Sequence, residues 1–193
     1  MKLLKTCLLG AGLSLLIAGT SQAQVYFSHF ETTNLPGNTM SSGMSAITFI
    51  PGANIHKFAG TIGTDVVLSN LRVTSSAPDL APDTFDNPYE ITMTLTDDAS
   101  SASADLLFSG VLKGTTSVGS ANIGNTFTGA THYTVDLGLN KYVVDLTTYT
   151  APEAPGGSLG AIGAHVSAVP EPASASLLGV GILPLLGLIR RRK

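Results

Sequence analysis

Along much of this chain apolar and polar residues alternate with a period of two. Tyr89-Glu90-Ile91-Thr92-Met93-Thr94-Leu95-Thr96 keeps strict alternation over eight residues. That pattern predicts a half-buried β-strand with its odd positions in the core and its threonines toward solvent. Asp97-Asp98 reads as a charged turn, and the Ser/Ala-rich stretch to Ala104 as a loop. Asp105 to Lys113 then supplies a returning strand, with Gly110 as a candidate bulge. Tyr133, Val135 and Leu137 alternate with Thr134 and Asp136. Gly138-Leu139-Asn140 makes a tight connection into the β-branched and aromatic run Tyr142 to Tyr149, a second hairpin signal.

Val25 to Phe30, Ala46 to Ile50, Asp65 to Val73 and Leu159 to Val166 read as further strands. No long stretch has helical periodicity. Roughly eight strands punctuated by turn signals predict an all-β fold, a two-sheet antiparallel β-sandwich. Pro152 and Pro155 flank the end of one strand and discourage pairing there.

The two ends are patterned differently. Lys2 and Lys5 precede an apolar run from Leu8 to Ala18, and Ser21-Gln22-Ala23 places small residues where a signal peptidase reads. Residues 1–23 are therefore expected to be a signal peptide, cut between Ala23 and Gln24. The only cysteine, Cys7, lies inside this leader, and Leu4-Lys5-Thr6 before it makes no lipoprotein site. A mature chain without thiols is held by its core rather than by disulfides.

At the other end, Pro170-Glu171-Pro172 is followed by an uncharged apolar segment over 173–189 and by Arg190, Arg191, Arg192 and Lys193. As a helix that segment is about 25 Å long, slightly short of a hydrocarbon core of about 30 Å. Gly179, Gly181, Pro184 and Gly187 weaken it further. The terminal cations are expected to stay on the cytoplasmic side. A stiff Pro-Glu-Pro element thus sits just outside a marginal transmembrane helix.

This three-part tail, 169–193, resembles the PEP-CTERM sorting signal of exported bacterial proteins. Pro170, Glu171 and Pro172 match the triplet, Leu177-Leu178-Gly179 opens the span, and Arg190 to Lys193 closes it. The resemblance implies processing near the triplet by an exosortase-like membrane protease, followed by release or attachment to a surface polymer such as exopolysaccharide. The body is also similar to uncharacterised domains found upstream of such tails, through Gly60 to Leu71 and Asn125 to Gly129. That likeness implies a β-rich exported domain of no known activity.

Charge narrows the partners. Residues 24–168, the expected mature domain, hold four cations (Lys57, Arg72, Lys113 and Lys141) against twelve carboxylates, a net of −8. Such a surface argues against nucleic acid and anionic membrane surfaces. Asp79, Asp83 and Asp86, with Asn87, offer oxygen ligands to Ca²⁺ from one Pro-rich stretch. The spacing is not that of an EF-hand, and a stiff solvated loop explains it equally well. The expectation is no cofactor, with Ca²⁺ the open alternative.

His29, His56, His132 and His165 are scattered without metal-ligand spacing. There is no P-loop or dinucleotide fingerprint. Ser41 to Ser45 reads as a flexible polar loop. Tyr89, Tyr133, Tyr142 and Tyr149 are candidates for a sugar-stacking face or, equally, for core packing. The expected function is that of a non-enzymatic exported surface or extracellular-matrix protein; the alternative is a carbohydrate-binding module, Ca²⁺-assisted or not.

Overall fold

The computed structural model describes residues 24–169 apart from 33–34, 60–61 and 139. The expected signal peptide and, beyond Val169, the rest of the expected sorting tail, from Pro170 to Lys193, lie outside the described residues. Among the described residues no helix is long and apolar enough to cross a membrane.

Among the described residues eleven strands follow one another, beginning with β1 (Gln24–Thr32), β2 (Thr39–Ser42), β3 (Ser45–Pro51), β4 (Ile55–Phe58), β5 (Thr64–Ser75) and β6 (Asp83–Asp97). After the β6 turn come β7 (Ser103–Thr116), β8 (Ala121–Phe127), β9 (His132–Leu137), β10 (Asn140–Thr150) and β11 (Gly160–Val169). They form a five-stranded sheet, β4-β1-β6-β7-β8, and a six-stranded sheet, β2-β3-β5-β11-β10-β9. Every pair is antiparallel. The two sheets share one apolar core, as the expected sandwich requires: Ile47, Phe49, Leu71 and Val144 from one sheet meet Ile91, Met93, Phe108 and Leu112 from the other. Phe49 and Tyr89 touch across the layer with ring centroids 5.2 Å apart.

Alternation along β6 behaves as its sequence predicts. Tyr89, Ile91, Met93 and Leu95 are buried, and the intervening threonines are half-buried. The strand begins earlier than its alternation does, because Asp83 to Pro88 continues the pairing with β7 without a break. Gly110 is not a bulge. It pairs in register with Tyr89, and a β-carbon there would lie 2.5 Å from the Tyr89 hydroxyl. Glycine is needed because the tyrosine ring lies across the backbone.

Three short strands escape the period-two reading: β2, β4 and β8. Ser41 to Ser45 is a β-hairpin rather than a flexible loop, turning through Gly43 at φ +54°. The turn at Gly138 also takes a positive φ, +65°, where glycine carries no steric cost.

Candidate functional site

The stretch with the three candidate calcium ligands does not gather them. Asp79 accepts the Ser117 hydroxyl at 2.6 Å and the Gly119 N–H at 3.0 Å. These two bonds hold its carboxyl below the usual range. Asp83 accepts the Met44 N–H and the Ser45 hydroxyl, each at 2.7 Å, through Oδ2. Asp86 sits on the strand and pairs with Lys113 at 3.0 Å. Each carboxylate serves a different neighbour. Asp79 ties the β5–β6 connection to the β7–β8 turn, and Asp83 ties the start of β6 to the β2–β3 hairpin. Among the described residues no group of three or more His, Cys, Asp or Glu side chains is arranged to hold a metal ion.

The tyrosines turn inward. Tyr89 and Tyr142 are fully buried, and Tyr133 and Tyr149 pack against the core. Tyr133 on β9 donates its hydroxyl to the Leu107 carbonyl of β7. Tyr149 on β10 donates to the Ile123 carbonyl of β8 at 2.7 Å, and burial raises its pKa to about 12. Tyr142 on β10 donates to Asp97 at 2.5 Å. Three hydroxyls of one sheet therefore fasten onto the other, while Tyr89 stays within its own sheet, donating to Asn125 at 2.9 Å. The sugar-stacking face that these rings were candidates for does not form.

Asp97 is the main correction to the sequence reading. It is not a solvated turn residue; it is 0 % exposed. Its Oδ1 accepts Tyr142 and the Asn140 amide at 2.9 Å, and its Oδ2 accepts the Ser100 N–H at 2.8 Å and hydroxyl at 2.7 Å. Burial works against ionisation, but these donors outweigh it and keep the carboxyl below its ordinary pKa. The node pins the β6–β7 turn to the start of β10.

His56, His132 and His165 are not isolated. His132, Asp145, His165 and Asp65 stand opposite one another on β9, β10, β11 and β5 and form a row across the outer face of the six-stranded sheet. His132 Nδ1 lies 2.6 Å from Asp145, and His165 Nδ1 lies 2.7 Å from Asp65. His165 Nε2 also reaches the Ile62 carbonyl at 3.1 Å. Both of its partners only accept, so both bonds need the doubly protonated ring. Asp65 raises the His165 pKa first of all, against a smaller opposing effect of partial burial. His56, on the other sheet, pairs with Asp98 at 3.0 Å. No local spacing announces these pairs, because residues 65 and 165 lie a hundred positions apart.

The row contains the nearest approach to a catalytic arrangement. Thr134 Oγ1 lies 3.4 Å from His132 Nε2, whose other nitrogen faces Asp145. This Thr–His–Asp string is exposed on the outer face of the sheet, and its hydroxyl contact is longer than the hydrogen bond that proton transfer uses. A cleft of about 430 Å³ lies elsewhere, between β5 and the 153–159 loop, lined by Arg72, Thr74, Glu153 and Leu159. It has no aromatic wall. Comparison of the chain with protein-family models, with characterised proteins and with solved structures finds no match.

Proposed function

We propose that this protein is a non-enzymatic component of the cell surface or extracellular matrix, exported, cut by signal peptidase after Ala23 and processed through its C-terminal sorting signal. The observation that carries it is the sequence of the tail, Pro170-Glu171-Pro172, then an uncharged apolar segment over 173–189, then Arg190 to Lys193. An exosortase-like protease at the outer membrane face would read the triplet, while the four cations hold the span in register. The precursor is membrane-anchored only until that cut. It then frees the acidic body outside the cell or passes it to a surface polymer such as exopolysaccharide.

The body suits that destination. The mature chain carries no cysteine, and its sheets are fastened by Tyr133, Tyr142 and Tyr149 instead of disulfides. Its net charge of −8 over residues 24–168 favours solubility and disfavours nucleic acid. The test is genetic. Glu171→Ala, or deletion of residues 190–193, leaves an uncleaved membrane-retained precursor with an unaltered body. Normal processing of both variants would refute the proposal.

A further inference from the structure

We infer that β8 is a pairing edge through which two copies of this chain join their five-stranded sheets, antiparallel about a two-fold axis at Gly124. A sheet edge leaves a row of backbone donors and acceptors open, and proteins guard such edges with charge, proline or brevity. Among the described residues the two sheets have four edges, and three of them are guarded. β2 and β4 have four residues each, and β4 carries His56 and Lys57. β9 carries His132 and Asp136. β8 has seven residues, Ala-Asn-Ile-Gly-Asn-Thr-Phe, and lies in a stretch from Val118 to Thr131 without charge or proline.

The open groups can be assigned. The Thr128 N–H bonds the Ser109 carbonyl at 3.0 Å, and the register pairs Thr126, Gly124 and Asn122 with Val111, Lys113 and Thr115. Antiparallel ladders alternate, so Thr126, Gly124 and Asn122 bond β7 while Ala121, Ile123, Asn125 and Phe127 aim their backbone groups away from it. Tyr149 reaching the Ile123 carbonyl at 2.7 Å fits that direction. A carbonyl accepts twice, so this bond leaves room for a strand partner.

The outward set is symmetric about Gly124. A two-fold there pairs Ile123 with Asn125 and Ala121 with Phe127 of the second copy, and every open donor meets an acceptor. A self-complementary patch of this kind is what a two-fold interface requires. The side chains on the solvent face, Asn122, Gly124 and Thr126, are exposed and uncharged, so no like charges oppose. This inference does not depend on how the tail is processed.

Gly124 supplies the test, because it would face itself. A β-carbon there meets only the Lys113 carbonyl, at an ordinary 3.6 Å, so substitution leaves the fold alone. Full-length protein in detergent should sediment as a dimer of bodies. Gly124→Lys and Gly124→Glu should each be monomeric, and a one-to-one mixture of the two should restore the dimer. In a Cys7→Ser background, Gly124→Cys should cross-link under mild oxidation, since facing β-carbons lie about 4.5–5.5 Å apart, while Thr134→Cys on β9 should not. A monomeric wild type, charge variants that stay dimeric, or cross-linking at Thr134 instead would overturn the inference.

Discussion

Tyr142→Phe removes one oxygen and leaves the core volume nearly unchanged, so its effect isolates the hydrogen bond to Asp97. That bond is 2.5 Å long, and its acceptor is a fully buried carboxylate. Hydrogen bonds to charged groups are worth about 1.5–3 kcal/mol. Asp97 keeps the Asn140 amide and both Ser100 donors, which places the loss near 2 kcal/mol. An unfolding entropy of about 2.1 cal/mol/K per residue, over the roughly 145 residues of the body, amounts to about 0.3 kcal/mol/K. The melting temperature should therefore fall by about 6 °C at pH 7. Tyr133→Phe is the control: its hydroxyl goes to a neutral carbonyl, worth about 1 kcal/mol, so its shift should be about half as large. Asp97 is held below its ordinary pKa. The stability it contributes is present above the unfolded carboxylate value of about 3.9 and is lost as pH falls through the folded one. The gap between wild type and Tyr142→Phe should therefore narrow below about pH 4. If Tyr142→Phe costs no more than Tyr133→Phe in thermal melts, the buried-carboxylate account of the β6–β7 turn is wrong.

Other consequences are equally direct. Gly110→Ala drives a methyl to 2.5 Å from the Tyr89 hydroxyl oxygen and should cost about 1–3 kcal/mol in urea unfolding, as overpacking does; a neutral result would mean that the Tyr89 ring moves freely. His165 has a raised pKa, so its contribution is full below about pH 6.5, the unfolded value, and is lost as pH rises through the folded one. Stability of the wild type relative to His165→Gln should decline across that interval, and parallel profiles would contradict the doubly donating ring. Since Asp79, Asp83 and Asp86 face separate partners, melting curves in millimolar calcium and in chelator should superimpose; a rise in calcium that Asp83→Asn removes would restore the calcium loop.

What the sequence made legible was whatever a two-residue period can carry. β6, β7, β9 and β10 each bury one face over many residues, so their alternation survives in the chain. β8 was missed because Asn125 stands at an inward position where an apolar residue is expected; its side chain accepts Tyr89 from the same sheet. β2 and β4 are too short for any period to register. The Asp97 node was misread because its donors Asn140 and Tyr142 lie 43 and 45 residues away, and a buried acid then looks like a turn acid. The histidine row is a product of register alone. Local sequence predicts each strand but not which strand lies beside it, and sheet order is what sets His165 against Asp65 and Asp145.

The central claim, export followed by removal of the tail, is tested most directly by the intact mass of the protein recovered from the cell surface or medium. The account predicts a chain that begins at Gln24 and ends near Pro170-Glu171-Pro172, with any added surface group appearing at that new terminus. A surface protein whose mass still includes Leu183 to Lys193 would contradict it and make the tail a permanent anchor.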